Sequence, residues 1–249
     1  MKKNTKRKKT NKNKKEHIDK LVIVLIVFVV ILVVNIFFLL SSISSSNKDY
    51  EKLQQENKKI QKKLDKIEKL TDIIFLGDSI TEYYDLDKYY DKKIIKSGVA
   101  GYTTDDILNN IDEMVFKYNP RKIFLLIGTN DLRDEKSIEY VTNNIEKIVN
   151  IIHEKTPYTR IYVESIYPVN NTDFSKINHD MVGIRKNEDI QEINRNIKDY
   201  CIKNKFTYIN MYKELSDDDG NLKLEYTREG LHMSDEGYEV ITKKLNKYI

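Results

Sequence analysis

Tryptophan is absent from this 249-residue chain, cysteine occurs once, proline three times and glycine eight times. The single cysteine, Cys201, excludes an intramolecular disulfide and any cysteine-paired metal site. So little glycine and proline argues against extensive low-complexity disorder. Histidine is scarce as well. His17, His153, His179 and His232 stand far apart, with no H-x-x-x-H spacing, so no metal site is expected. No phosphate-cradling loop of the G-x-x-x-x-G-K-[ST] kind is present, and no cofactor is expected.

The fold itself also lacks positive charge. The chain carries 43 Lys and Arg against 39 Asp and Glu, a formal +4. Ten of those bases fall in residues 1–20, opposed there only by Glu16 and Asp19. The remainder is therefore net acidic, and a nucleic-acid partner, which would need the charge on the folded part, is not expected.

Residues 21–40 read LVIVLIVFVVILVVNIFFLL, apolar apart from Asn35. Twenty residues at about 1.5 Å rise span about 30 Å, the thickness of a bilayer's hydrocarbon core, so this run is expected to be a transmembrane helix. The basic tail before it places the N-terminus in the cytoplasm and the remaining residues outside the cell. A cleaved signal peptide is the rival reading, with Ser41, Ser42 and Ser44 at a cleavage site; the apolar run is longer than such segments usually are.

Beyond the helix, Tyr50, Leu53, Asn57, Ile60, Leu64, Ile67 and Thr71 recur at alternating spacings of three and four. This is a short heptad seam with Asn57 at an a position, so residues 41–70 are expected to form a helical or coiled-coil stalk. The seam at 47–71 offers a parallel homodimer; the alternative is a helical spacer that pairs with nothing.

Residues 71–249 alternate apolar runs with helical patterns. Strands are expected at Asp72–Leu76, Lys93–Lys96, Lys122–Ile127, Arg160–Ile166 and Phe206–Asn210. Helical faces are marked by Ile107, Ile111 and Met114, by Ile138, Val141, Ile145 and Ile148, by Ile190, Ile193 and Ile197, and by Tyr238, Ile241 and Leu245. The last helix has Ser234 as its expected N-cap. The expected fold is α/β: a three-layer sandwich around a five-stranded parallel, flavodoxin-like sheet.

In such a sheet the site lies beyond the carboxyl ends of the strands. There the sequence places Gly77-Asp78-Ser79-Ile80-Thr81, Ser97-Gly98-Val99-Ala100-Gly101, Gly128-Thr129-Asn130-Asp131 and, before the last helix, Glu229-Gly230-Leu231-His232. Together they supply a hydroxyl, backbone N–H groups, an amide, an imidazole and a carboxylate. Those are the groups that acyl transfer through a tetrahedral intermediate requires. Each stretch alone is ordinary turn composition; four in order, each after its own strand, point to chemistry.

FLGDSIT at 75–81, SGVAGYTT at 97–104, IGTND at 127–131 and EGLH at 229–232 resemble the four blocks of the SGNH (GDSL-type) hydrolases. The resemblance covers almost all of residues 72–249. It implies Ser79 as nucleophile, His232 as base, and the Ser79 N–H, the Gly98 N–H and the Asn130 side chain as oxyanion donors. The family has Asp three residues before the histidine, where this chain has Glu229. Two arrangements stay open: Glu229 orienting His232 on a longer stem, or a Ser–His dyad aided by a backbone carbonyl. There is no G-x-S-x-G elbow.

His179 is the rival base. It stands in an aperiodic stretch, about 168–186, that reads as a lid or wall. Tyr83 and Tyr84 line the acyl pocket or pack on the sheet, and Cys201 falls on an apolar helix face. The function expected is hydrolysis of carboxylic esters by a bacterial cell-surface enzyme anchored through 21–40. Its substrates would be acetylated glycans or lipid esters. Acyl transfer to a wall glycan and a non-catalytic envelope scaffold are the alternatives.

Overall fold

The computed structural model describes residues 25, 28, 29, 31, 32, 54–60 and 73–249. The chain divides into two units, residues 1–68 and 69–249. In the first, Leu25, Phe28, Val29, Ile31 and Leu32 are helical and exposed, and residues 54–60 are helical and exposed. Among the described residues no helix is long and apolar enough to cross a membrane. The expected membrane helix at 21–40, the stalk at 41–70 and the pairing seam at 47–71 lie largely outside the described residues, as does the basic tail with His17.

In the second unit five short apolar runs form strands. They are β1 (Ile73–Gly77), β2 (Ile94–Gly98), β3 (Lys122–Leu126), β4 (Arg160–Glu164) and β5 (Thr207–Ile209). All neighbours are parallel, in the order β2-β1-β3-β4-β5. This is the flavodoxin-like order, which reverses direction at β1 and β3 and opens a crevice there.

The side-chain alternation of each strand feeds two cores. Ile74, Leu76, Ile123, Leu125, Ile161 and Val163 meet one set of helices. These are α3 (Thr104–Met114), α5 (Ile138–Lys155) and α7 (Asn187–Asn204), through residues such as Ile107, Ile145 and Ile193. The opposite face carries a row of rings. Phe75, Phe124 and Tyr162 are in register on β1, β3 and β4 and stack with centroids 4.8 Å apart at each step. Face-on neighbours of this kind add to plain area burial by roughly 0.5–1.5 kcal/mol per pair. The last helix, α9 (Asp235–Leu245), covers that face with Tyr238, Ile241 and Leu245. Its N-cap is Ser234, whose hydroxyl accepts from Gly237 N.

The strand limits differ from the sequence reading in instructive ways. β2 runs on to Gly98 because its backbone stays paired with Gly77. β4 stops at Glu164, not at Ile166. The N–H and C=O of Ile166 are taken by the Asn194 side chain of α7, at 2.8 and 2.9 Å, in place of a neighbouring strand. Short helices α1 (Ser79–Glu82), α2 (Leu86–Tyr89), α4 (Thr129–Arg133), α6 (His179–Val182) and α8 (Tyr212–Leu215) fill the connections.

At the end of β4, Glu164 is only 4% exposed, and its Oε2 accepts the Tyr167 hydroxyl at 2.6 Å. Burial pushes its acid up to about 7, with the tyrosine bond opposing. An acid whose pKa is raised by folding lowers stability as pH climbs from its unfolded value toward the folded one, and the penalty then stays constant. Glu164→Gln keeps an acceptor for Tyr167 and removes this penalty. The variant should therefore gain on the wild type between pH 5 and pH 8, by about 1–3 kcal/mol. Paired thermal melts across that range check it; a difference that does not change with pH contradicts it.

Candidate active site

The hydroxyl comes first along the chain. β1 ends at Gly77, and the chain turns directly into α1 with Asp78 as N-cap, its Oδ1 accepting from Ile80 N at 2.9 Å. Ser79 is the first residue of α1, so its N–H has no acceptor within the helix. The turn is tight because β2 presses on it. A Cβ at Gly98 would stand 2.5 Å from Glu82 N, 2.7 Å from Thr81 Cβ and 2.8 Å from Asp78 O. Only glycine lets the second strand end this close to the nucleophile's helix.

The imidazole arrives from the far end of the chain. Thr227 closes a short loop: its hydroxyl accepts from Gly230 N at 2.7 Å and donates to His232 O at 2.9 Å. Gly230 takes a φ of +107°, and an added Cβ would meet Asn170 O at 2.5 Å. Inside the loop Glu229 Oε1 lies 2.7 Å from His232 Nδ1 and also accepts His232 N at 2.9 Å. The other ring nitrogen, Nε2, lies 3.0 Å from Ser79 Oγ. A carboxylate at Nδ1 fixes the proton there and leaves Nε2 as the acceptor facing the serine. Of the two arrangements the sequence left open, the structure places the Glu229 carboxylate, not a backbone carbonyl, at Nδ1. Ser79 and His232 are both buried, and the exposed Tyr83 ring lies 5.2 Å from the imidazole.

Asn130 lies in α4, just beyond the carboxyl end of β3. Its Nδ2 donates to Tyr102 O at 2.9 Å and its Oδ1 accepts from Arg185 Nη2 at 3.0 Å. One amide hydrogen therefore remains for the site. The segment after β2 is tied down by carboxylates. Glu82 accepts Ala100 N, and Asp131 accepts both the N–H and the hydroxyl of Thr104. Arg185 escaped the sequence reading. It is a lone arginine in the aperiodic stretch before α7, with no period or motif to mark it. Burial lowers its guanidinium to about 10, still cationic near neutral pH. Burial also raises the Asp78 acid to about 7, against the pull of Arg185.

The remaining candidates fall elsewhere. His179 is exposed and pairs through Nδ1 with Asn171 Oδ1 at 2.5 Å. Its segment still frames the site, because Asn170 N and Asn178 N donate to Gly230 O and Glu229 O, each at 2.8 Å. His153, in the last turn of α5, sets its ring against the edge of Phe206. Tyr84 belongs to the core, stacked on Tyr238 at 4.6 Å. Cys201 is buried and its thiol is pushed up to about 12 by that burial. Among the described residues no three His, Cys, Asp or Glu side chains cluster as a metal set.

Comparison with known proteins gives a consistent picture of the fold. Residues 75–240 match the GDSL-like Lipase/Acylhydrolase family. A Streptococcus pneumoniae protein, provisionally described as a platelet activating factor, is 33% identical in sequence. The match covers 82% of this chain and 99% of that one, with a TM-score of 0.67. A GDSL-like lipase from Bacteroides thetaiotaomicron is 22% identical over 73% of this chain and 88% of its own, with a TM-score of 0.64. Among curated proteins, an N-acylneuraminate cytidylyltransferase of Escherichia coli is 27% identical over 197 residues, 77% of this chain and 43% of that protein. One from Streptococcus agalactiae is 27% identical over 180 residues, 71% of this chain and 38% of that protein. The chain thus spans about two fifths of the length of these curated relatives.

The close approach at Gly98 can be tested directly. Gly98→Ala should force β2 and α1 apart, destabilise the protein by about 1–3 kcal/mol as overpacking does, and draw Ser79 away from His232. Thermal melts and the rate of Ser79 labelling by a fluorophosphonate read the two effects. Unchanged stability with unchanged labelling would show that the contact has slack.

Proposed function

The chain belongs to the GDSL-like lipase/acylhydrolase family, and on that footing we propose that it is a serine-dependent carboxylic-ester hydrolase working through an acyl-enzyme at Ser79. The observation that carries the reading is the unbroken hydrogen-bond chain from Glu229 through His232 to Ser79, at 2.7 and 3.0 Å.

A serine hydroxyl is a weak nucleophile near pH 7, and a neutral imidazole at hydrogen-bond distance removes its proton as attack proceeds. In this reading Ser79 Oγ bonds to the ester carbonyl carbon while its proton passes to His232 Nε2. The Glu229 carboxylate holds the imidazolium that results. The carbonyl oxygen, now negative, is met by the Ser79 N–H, the Gly98 N–H and the free amide hydrogen of Asn130. Collapse breaks the bond to the alcohol oxygen, which leaves with the proton from His232. Water, deprotonated by the same ring, then releases the acid and restores Ser79.

We further propose a substrate class. The curated relatives are named for N-acylneuraminate, a sugar derivative whose acyl group is on nitrogen, so the name supports a sugar and not the ester itself. An O-acyl ester on a glycan is therefore placed ahead of a lipid ester. The location is likewise proposed from sequence: residues 21–40 anchor the chain in the cell membrane, with the basic tail inside and the hydrolase unit outside.

Full-length protein should hydrolyse fluorogenic acetate or butyrate esters, and Ser79→Ala should abolish turnover. Glu229→Gln should lower kcat by roughly 10²–10⁴-fold, because the amide no longer holds the imidazolium or its tautomer. A folded wild type with no turnover of any ester, or Ser79→Ala equal to wild type, rejects the hydrolase. For the anchor, the full chain should sediment with membranes and resist extraction by high salt and alkaline carbonate; release under those conditions rejects it.

A further inference from the structure

We propose that Arg185 is a positioning residue of the oxyanion site, locking the Asn130 carboxamide so that its NH₂ group faces the reacting carbonyl before any negative charge develops. The inference rests on the ester-hydrolase reading above and assigns a task to a residue outside the serine, histidine, carboxylate and donor set.

The two ends of an asparagine amide are almost equal in size, so packing alone does not decide which faces the substrate; hydrogen bonding does. Asn130 is held between opposite partners. On one side the Tyr102 carbonyl can only accept, and Nδ2 lies 2.9 Å from it. On the other side Arg185 Nη2 can only donate, and Oδ1 lies 3.0 Å from it. A flip would set NH₂ against the guanidinium and oxygen against the carbonyl, two repulsive pairs in a buried place. With Arg185 present the donor orientation is the satisfied one.

Arg185 is itself held. It is 3% exposed. Its Nε donates to Thr129 O at 2.8 Å, on the residue just before Asn130. Its Nη1 donates to Met181 O at 3.0 Å and Val182 O at 2.7 Å, at the end of α6. The fork thus joins the helix bearing Asn130 to the segment framing Glu229 and fixes both main chain and side chain. Lysine cannot copy this, since one ammonium does not span three carbonyls and an amide in that planar geometry. The location also leaves a buried cation close behind the donor, where a developing oxyanion benefits.

The test is a double-mutant cycle in the full-length protein, with kcat and KM for a fluorogenic ester, thermal melts, and selectively ¹⁵N-asparagine-labelled NMR spectra. Arg185→Met should lower kcat about 10- to 100-fold with KM changed less than about twofold, a loss confined to the transition state. Arg185→Lys should recover part of that loss. Asn130→Ala should cost about 10²–10³-fold, and Asn130→Ala with Arg185→Met should cost no more than Asn130→Ala alone. In the NMR spectra the Asn130 amide hydrogen bonded to the Tyr102 carbonyl should be slow to exchange with solvent in wild type and fast in Arg185→Met. If Arg185→Met does not fold, Arg185→Lys takes its place in the cycle. Losses that multiply, an Arg185→Met kcat equal to wild type, or an unaltered Asn130 NH₂ signal overturns the inference. A wild type inert toward every ester overturns the hydrolase reading instead, and the NMR comparison still decides whether Arg185 holds Asn130.

Discussion

Ser79 Oγ and His232 Nε2 lie 3.0 Å apart although 153 positions of sequence separate them, and most of the second unit's architecture serves that contact. β1 delivers the serine to the carboxyl edge of the sheet and α9 anchors the loop that carries the histidine. The two carriers are bolted to each other. The Tyr238 hydroxyl donates to Ile80 O at 2.8 Å, Tyr84 and Thr242 share a hydrogen bond, and the Tyr84 and Tyr238 rings stack. The helix bearing the hydroxyl and the helix following the imidazole are thus joined directly by side chains. The pair rests on the row of stacked rings that crosses the middle strands.

Around this contact the connecting segments are held by side chains, since loops cannot satisfy their backbone groups by pairing with neighbours. Glu82 holds the turn after β2, Asp131 holds the start of α3, Asn130 reaches Tyr102, and Arg185 reaches across to α4. Asp131 sits within a recognised block, yet its work is to place the start of α3 and not to touch a reacting atom. A site built this way depends on charge inside the protein, and the raised acids of Asp78 and Glu164 show what that burial costs.

The parts legible in sequence were those with local signatures. Strands announced themselves as apolar runs, the long helices as faces of period 3.6, and the four polar turns as punctuation at the strand ends. That was sufficient to foresee a parallel sheet and the meeting of Ser79, His232, Gly98 and Asn130 at one edge. What escaped notice was specified by tertiary contact. Ile166 leaves the sheet because Asn194, 28 positions away, takes its backbone groups. Arg185 has no local pattern that marks it, and its link to Thr129 and Asn130, more than 50 positions away, is supplied by the fold. Glu229 is an intermediate case: the resemblance pointed to its position, but only the folded loop determines that its longer stem doubles back to accept from both His232 N and Nδ1. The tail, the apolar run and the heptad seam, legible as they are, fall mainly outside the described residues.

The long separation between serine and histidine has a consequence for biosynthesis. The chain emerges from the ribosome with its hydroxyl early and its imidazole only a few residues before the last helix. Until that helix docks through Tyr238 and Thr242, no base stands beside the serine, however well the first strands have formed. Reactivity thus waits on that helix, and a chain lacking it carries a hydroxyl with no base beside it.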